Sequence, residues 1–331
     1  MMSTQTEVLN ELLQAAPDYC SGDQLAQALA VSRTAIWKAI QGLQQAGYSI
    51  DSRHGRGYRY VANNQLSEPA ITAGLTSSVR PTIIVLPTVD STNAYLKRLI
   101  SQQPLTQPTV VIADTQTGGY GRFGRTFYSP SETGIYLSIG LPIDATQPFD
   151  PGLLTTSTAV AVAKTLEQLF DVPVALKWVN DVLVNHHKAV GILSEATTDL
   201  ETGQIATVIV GIGINLTTPT TAFPSALQVK AGAVTTTTAV TRNQVISTLL
   251  SKFFDSYATY TSGDFMTDYR RLSMVIGQTV DLQSGGQVIH GVVQDISDTG
   301  ALIVKQATGE IHQYTSGEIT KVNLQTGDYH G

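Results

Sequence analysis

Residues 113–130 read ADTQTGGYGRFGRTFYSP. Gly118, Gly119, Gly121 and Gly124 are interleaved here with Arg122 and Arg125. The β-branched run 109–112 precedes the stretch, and a second apolar run, 135–141, follows it. Glycines let backbone N–H groups approach a ligand closely, and arginines clamp phosphate oxygens. Between two strands, such a loop is expected to close over a phosphate or another anion rather than to serve as a plain surface connector.

Two common phosphate motifs do not fit. Gly119-x-Gly121-x-x-Gly124 spells the dinucleotide fingerprint, but that fingerprint needs a helix opening at its last glycine. Pro130 and Gly134 leave too little chain for a crossover helix before the next strand. No Lys-Ser/Thr pair follows the glycines, so the loop is not a Walker loop either.

Working outward, 331 residues with 42% apolar content suffice for two or three domains. A net charge of −6 argues against a protein coated with nucleic acid. The single cysteine, Cys20, excludes an intrachain disulfide and suits a reducing compartment. Residues 1–16 carry no signal-peptide pattern and no apolar run is long enough for a membrane span, so a cytoplasmic protein with no membrane partner is expected.

Charge sorts sharply along the first sixty residues. Residues 1–31 carry only Glu7, Glu11, Asp18 and Asp23, whereas residues 32–60 carry Arg33, Lys38, Arg53, Arg56 and Arg59 against Asp51. Val8, Leu9, Leu12 and Leu13 have helical spacing, Ser21 and Ser32 can each cap a helix, and Gly47 stops the third. Two short strands around His54–Gly57 complete a winged helix-turn-helix. Its basic side is expected to bind DNA, with Ser32, Arg33, Thr34, Trp37 and Lys38 at the major groove and Arg56 on the wing. A helical protein–protein module with one solvated basic face is the blander reading.

Asn63–Pro69 reads as a polar linker, and 83–86 as a short buried strand. Asp90-Ser91-Thr92-Asn93 then opens a helix, where Asp90 or Ser91 can cap and Thr92 and Asn93 can meet a polar ligand. A long helix over 152–170 is followed by strands at 174–178, 182–184, 188–195 and 206–216. The glycines inside the last two strands imply close approach of a ligand or a packed helix. His186 and His187 are adjacent on a turn and point apart, which argues against a metal site. Four strands between 279 and 314 form a small antiparallel barrel or sandwich.

Taken in order, these segments resemble the bifunctional biotin–protein ligases that also repress biotin synthesis. Residues 21–60 resemble the family's winged helix-turn-helix, and Ser91-Thr92-Asn93 its biotin segment. Gln116 with Gly119-Tyr120-Gly121-Arg122-Phe123-Gly124 resembles its Gly-Arg-Gly-Arg-x-Gly adenylate loop. Lys177-Trp178-Val179-Asn180-Asp181 is similar to Lys-Trp-Pro-Asn-Asp, Lys188 with 191–193 to the ligand-binding lysine segment, and 211–215 to Gly-x-Gly-x-Asn. Tyr120 and Val179 depart from the pattern, and Tyr120 lacks the charge of the usual arginine.

The resemblance implies an α+β multidomain chain: a winged helix-turn-helix over 1–66, an α/β ligase domain with a mixed sheet over 67–272, and an SH3-like β-barrel over 273–331. It implies formation of biotinyl-5'-adenylate from ATP and biotin with Mg²⁺, then transfer of biotin to a lysine of a biotin carboxyl carrier protein domain. Arg122 and Lys188 would be catalytic, and Ser91, Thr92, Asn93, Gln116, Gly119, Tyr120, Gly121, Arg122 and Lys188 would bind biotin. Arg122, Arg125, Asn180 and Asn215 would bind ATP, and Asp181 the metal. The adenylate would also act as corepressor, giving a homodimer on palindromic operator DNA. A non-catalytic ligand-sensing transcription factor and a lipoate-type ligase of the related fold are the competing readings.

Overall fold

The structure, a computed structural model, describes residues 3–144, 146, 148–198, 203–324 and 327–330. The chain divides into two compact units, residues 1–76 with 239–248, and residues 77–238 with 249–331.

In the first unit, helices α1 (Thr4–Ala15), α2 (Gly22–Ala28) and α3 (Arg33–Gln45) precede a hairpin of β1 (Ile50–Arg53) and β2 (Gly57–Tyr60). Ser3, Ser21 and Ser32 cap the three helices, each accepting a backbone N–H three residues on. Their apolar stripes meet in one core built on Val8, Leu9, Leu12, Leu25, Ile36 and Ile40. The wing is stapled back at Tyr58, which exchanges two backbone hydrogen bonds of 2.8 Å with Cys20. Gly57 sits at φ +102° with no room for a side chain against the Cys20 carbonyl, so glycine is required there.

The linker expectation needs correction. Glu68–Ala73 is a helix, α4, capped by Ser67. The preceding residues are also tied down. Asn64 accepts from the Arg242 guanidinium at 2.7 Å, and Gln65 from the Asn243 amide at 2.7 Å. A polar sequence here serves a dense hydrogen-bonded joint with the start of α7 (Arg242–Tyr257), not a free tether.

The second unit is built on a mixed seven-stranded sheet. Its strands are β3 (Thr82–Val89), β4 (Thr109–Gln116), β5 (Gly134–Pro142), β6 (Val174–Lys177), β7 (Asp181–Val184), β8 (His187–Thr198) and β9 (Ile205–Asn215). The order is β3-β4-β5-β9-β8-β7-β6, with only β3 and β4 parallel. β5 is buried almost throughout, and β4 over its first five residues, 109–113. β3 is an edge strand and only half-buried, which corrects the buried-strand expectation. Ile84 and Leu86 of its apolar run pack against Leu96, Val111 and Ile209, while its outer edge has no partner strand among the described residues.

Helix α5 (Thr92–Gln102) packs on β4, β5 and β9. Helix α6 (Pro151–Phe170) lies against β6, β7, β8 and α8 (Met266–Leu272) and is buried over most of its length. Its buried Thr156, Thr158 and Thr165 hydroxyls satisfy themselves on carbonyls one turn back.

The C-terminal part is a six-stranded antiparallel sheet of β10 (Thr279–Ser284), β11 (Gln287–Ile296), β12 (Leu302–Gln306), β13 (Ile311–Tyr314), β14 (Glu318–Leu324) and β15 (Gly327–His330). The last two strands were not foreseen. β14 pairs back to β10 across the sheet, and this brings Glu318 towards the Gly-rich loop. No helix among the described residues is long and apolar enough to cross a membrane.

Candidate functional site

The Gly-rich loop leaves β4 and returns to β5 as a tight hairpin. Gly121 N donates to Arg125 O and Phe127 N to Gly119 O, both at 2.8 Å. A Cβ on Gly119 would lie 2.8 Å from each of Gln116 Nε2, Phe127 O and Ser129 Oγ, so only glycine lets the two arms close. Phe123 at the tip has φ +58° and is 73% exposed.

Beside the loop, Ser91 caps α5 and Thr92 and Asn93 begin it. Gln116 holds this end. Its Oε1 accepts from Thr92 N at 2.9 Å and Thr92 Oγ1 at 3.1 Å, and its Nε2 donates to Ser129 Oγ at 2.9 Å. Ser138 Oγ lies within hydrogen-bonding distance of both Thr92 Oγ1 and Asn93 Oδ1. Four of the residues singled out for biotin are therefore neighbours in one polar pocket.

The cations converge next to it. Arg122 Nη1 donates to Asn180 Oδ1 at 3.2 Å, while Asn180 Nδ2 donates to Ile192 O at 2.8 Å. Asn180 thus fixes Arg122 to the backbone of β8. Burial disfavours the charge on Arg122, and Asp181 pulls the other way. Lys188 Nζ lies 2.7 Å from Asp181 Oδ1. Arg125 makes a two-pronged pair with Glu318 of β14.

Lys177 is only 3% exposed. Burial holds its ammonium down to about 8, against the pull of Asp181 and with the help of neighbouring Lys188.

Two adjoining hollows share this cationic wall. One is lined by Ser91, Thr92, Asn93, Gln116, Tyr120 and Arg122. The other is lined by Asn215, Tyr128, Phe223, Leu227 and Lys230. Lys177, Lys188, Arg125, Asp181 and Glu318 border both. In the second hollow Asn215 Oδ1 is buried without a hydrogen-bond partner among the described residues. A cleft with a polar end, a cationic middle and an aromatic end suits an anionic ligand of at least two parts.

Similarity to known proteins agrees in order and extent. Residues 4–59 match an HTH domain, residues 85–215 the biotin/lipoate A/B protein ligase family, and residues 275–322 a biotin protein ligase C terminal domain. The bifunctional ligase/repressor BirA of Bacillus subtilis is 31% identical over 93% of this chain and 96% of its own length. Its counterpart of the same name in Escherichia coli is 30% identical over 93% of this chain and 94% of its own. The chain belongs to the biotin protein ligase family. Among solved structures, the biotin protein ligase from Aquifex aeolicus in complex with biotin and ATP aligns at a TM-score of 0.62 and 26% identity. That alignment covers 72% of this chain and 97% of that one.

Within this biotin protein ligase, several lining residues escaped sequence reading. Phe127 packs over the glycines of β8 and β9: a Cβ on Gly213 would meet its ring at 2.6 Å. Gly191 and Gly213 make room for an aromatic ring of the loop. Gly211 leaves space for the Asn93 side chain of α5, so here the close neighbour is a packed helix. Lys177, Glu195, Lys97 and Glu318 also reach the site or its walls. Only Lys177 had a sequence signal, its place in the Lys-Trp-Val-Asn-Asp run.

The winged helix-turn-helix presents Arg33, Thr34, Trp37 and Lys38 on the outer side of α3, Trp37 being 50% exposed, and Arg56 at the wing tip. Not every basic residue there is free for a ligand. Arg33 pairs with Asp23. Asp51 takes Arg59 at 3.0 Å and Arg53 at 3.4 Å, and also accepts the Tyr19 hydroxyl. Ser32 spends its hydroxyl on the cap.

Proposed function

We propose that this chain is an ATP-dependent biotin ligase that makes biotinyl-5'-adenylate and passes biotin to a lysine of a biotin carrier protein. It also represses biotin genes when charged with the adenylate. The observation that carries the reading is the cationic wall shared by the two hollows. A carboxylate and a polyphosphate repel each other, and side chains that border both sites can hold them together.

In the first step the biotin carboxylate attacks the α-phosphorus, the bond to the bridging oxygen breaks, and pyrophosphate leaves with the electron pair. Ser91, Thr92, Asn93 and Gln116 hold the biotin head group, with Gly119, Tyr120 and Gly121 closing over it. Arg122 and Lys188 neutralise charge where carboxylate and α-phosphate meet. Asn180 keeps Arg122 in place. Arg125 exchanges Glu318 for phosphate oxygens. Asn215 Oδ1 accepts an N–H of the adenine, which would satisfy its buried oxygen. In the second step the uncharged acceptor amine attacks the acyl carbon, AMP leaves, and the amide nitrogen gives up a proton.

The described residues contain no group of three or more metal-ligating side chains. The two carboxylates that border both hollows, Asp181 and Glu318, are already paired with Lys188 and Arg125, which fits a Mg²⁺ carried chiefly by the substrate's phosphates, with Asp181 as its protein ligand. There the ion would add positive charge at the transferring phosphate.

The residue ranges 1–66, 67–272 and 273–331 are assigned to DNA binding, ligation and the SH3-like barrel. The adenylate-bound form is assigned as a homodimer on operator DNA, in the cytoplasm. Incubation with ATP, biotin and a carrier domain, read by mass spectrometry, tests the transfer. Biotin on one carrier lysine is expected, and an unmodified carrier would contradict it.

Lys177 gives this function a pH dependence. Phosphate binding favours the protonated ammonium, so above about 8 binding must take up a proton. Nucleotide affinity is expected to fall as pH rises through about 8. In Lys177→Met the overall affinity should be lower and this limb absent. Titration of nucleotide binding across the range around that value reads both, and an identical limb in the variant would refute the assignment.

A further inference from the structure

Tyr120 lacks the charge of the arginine usual at its position, yet its hydroxyl is not idle. It donates to Glu195 Oε2 on β8 at 3.0 Å. Lys97 Nζ on α5 donates to Glu195 Oε1 at 2.7 Å, lies 3.3 Å from the Tyr120 hydroxyl, and sits 5.7 Å from the centre of the Tyr120 ring. Asn93 Nδ2 donates to Glu195 Oε2 at 2.8 Å. Burial pushes the Glu195 carboxyl up, but its bonds to Lys97, Asn93 and Tyr120 outweigh this and hold it below the usual range. The carboxylate is therefore charged, and every partner donates to it.

The cluster does not stop there. Asn93 Oδ1 meets the Ser138 hydroxyl, the Ser138 and Thr92 hydroxyls meet, and Thr92 N donates to Gln116 Oε1. One hydrogen-bonded chain runs from Lys97 under the head-group pocket to Gln116, and Tyr120 ties the Gly-rich loop to its far end. Asn93 belongs at once to the pocket and to the tether.

We propose that Lys97, Glu195 and Tyr120 form a latch that holds the Gly-rich loop closed over the adenylate, with Asn93 coupling the latch to the occupied head-group pocket. This rests on the ligase reading above. Lys97 returns from α5 the positive charge that position 120 lacks, and Glu195 joins it to the loop. Tyr120, Glu195 and Lys97 act as positioning residues for retention of the intermediate.

The test is the release rate of labelled adenylate from the preformed complex, chased with excess unlabelled biotin and ATP. This rate constant belongs to the complex and does not depend on how much protein is active. Tyr120→Phe removes one hydroxyl and is expected to speed release about tenfold or more, as loss of a hydrogen bond to a charged group should. Lys97→Met and Glu195→Gln should speed it too. The double variant Tyr120→Phe/Glu195→Gln should be no faster than the faster single, because both cut one tether. Wild-type release from Tyr120→Phe, or strictly additive effects, would overturn the latch while leaving the ligase reading intact. A wild-type protein that forms no adenylate would overturn both.

Discussion

Arg122→Ala should slow adenylate formation by about 10²–10³-fold, the usual cost of losing one preorganised charge donor at a reacting centre. Arg122 is held ready in two ways. Its guanidinium is fixed through Asn180 to the Ile192 carbonyl, so little is lost in ordering it. Its partial burial disfavours the bare charge, so an incoming anion relieves an existing penalty. Lys188 shares its charge with Asp181, so it does not make up for the lost guanidinium. Arg122→Lys should recover little, because an ammonium cannot meet both Asn180 and a phosphate in one plane. Single-turnover formation of adenylate, followed by quench, reads the effect. A rate within about twofold of wild type would remove Arg122 from the mechanism.

The double variant Lys38→Ala/Arg56→Ala should lose operator binding while biotin transfer to the carrier continues. Lys38 and Arg56 are exposed and lie outside the Asp23 and Asp51 ion pairs, unlike Arg33, Arg53 and Arg59. Removing one cation from the DNA phosphates should reduce the slope of log affinity against log salt by about one, so a fall of about two is expected for the pair. A salt titration of operator binding measures it. An unchanged slope would place the basic face elsewhere.

The contrast between these two sites shows what a sequence can carry. Sites encoded in one continuous run were legible: the glycines and arginines of 118–125, the cap at Ser91, the helix and wing around residues 32–60. Their geometry is local, so residue type and spacing suffice. What was not legible depends on distant partners. Lys97 looks like an ordinary charge on a helix surface and Glu195 like one near the end of a strand, and they meet only because α5 packs across β9 beside β8. Glu318 lies in a strand that the turn pattern did not reveal, 193 residues from its partner Arg125. Gly211 and Gly213 announced a close approach without saying to what, because Asn93 and Phe127 arrive from other elements. Asn63–Pro69 misled for the opposite reason. Polar residues usually mark a tether, but here the partners that satisfy them stand at Arg242 and Asn243.

The proposed reaction in this cleft joins a biotin carboxylate to the α-phosphate of ATP. Biotin-dependent exchange of labelled pyrophosphate into ATP by the purified protein tests it most directly, because the exchange requires reversible adenylate formation and no acceptor. Exchange that appears only with biotin is the predicted result. Tight biotin binding without exchange would contradict catalysis and leave a ligand-sensing transcription factor. Exchange supported by lipoate and not by biotin would contradict the substrate.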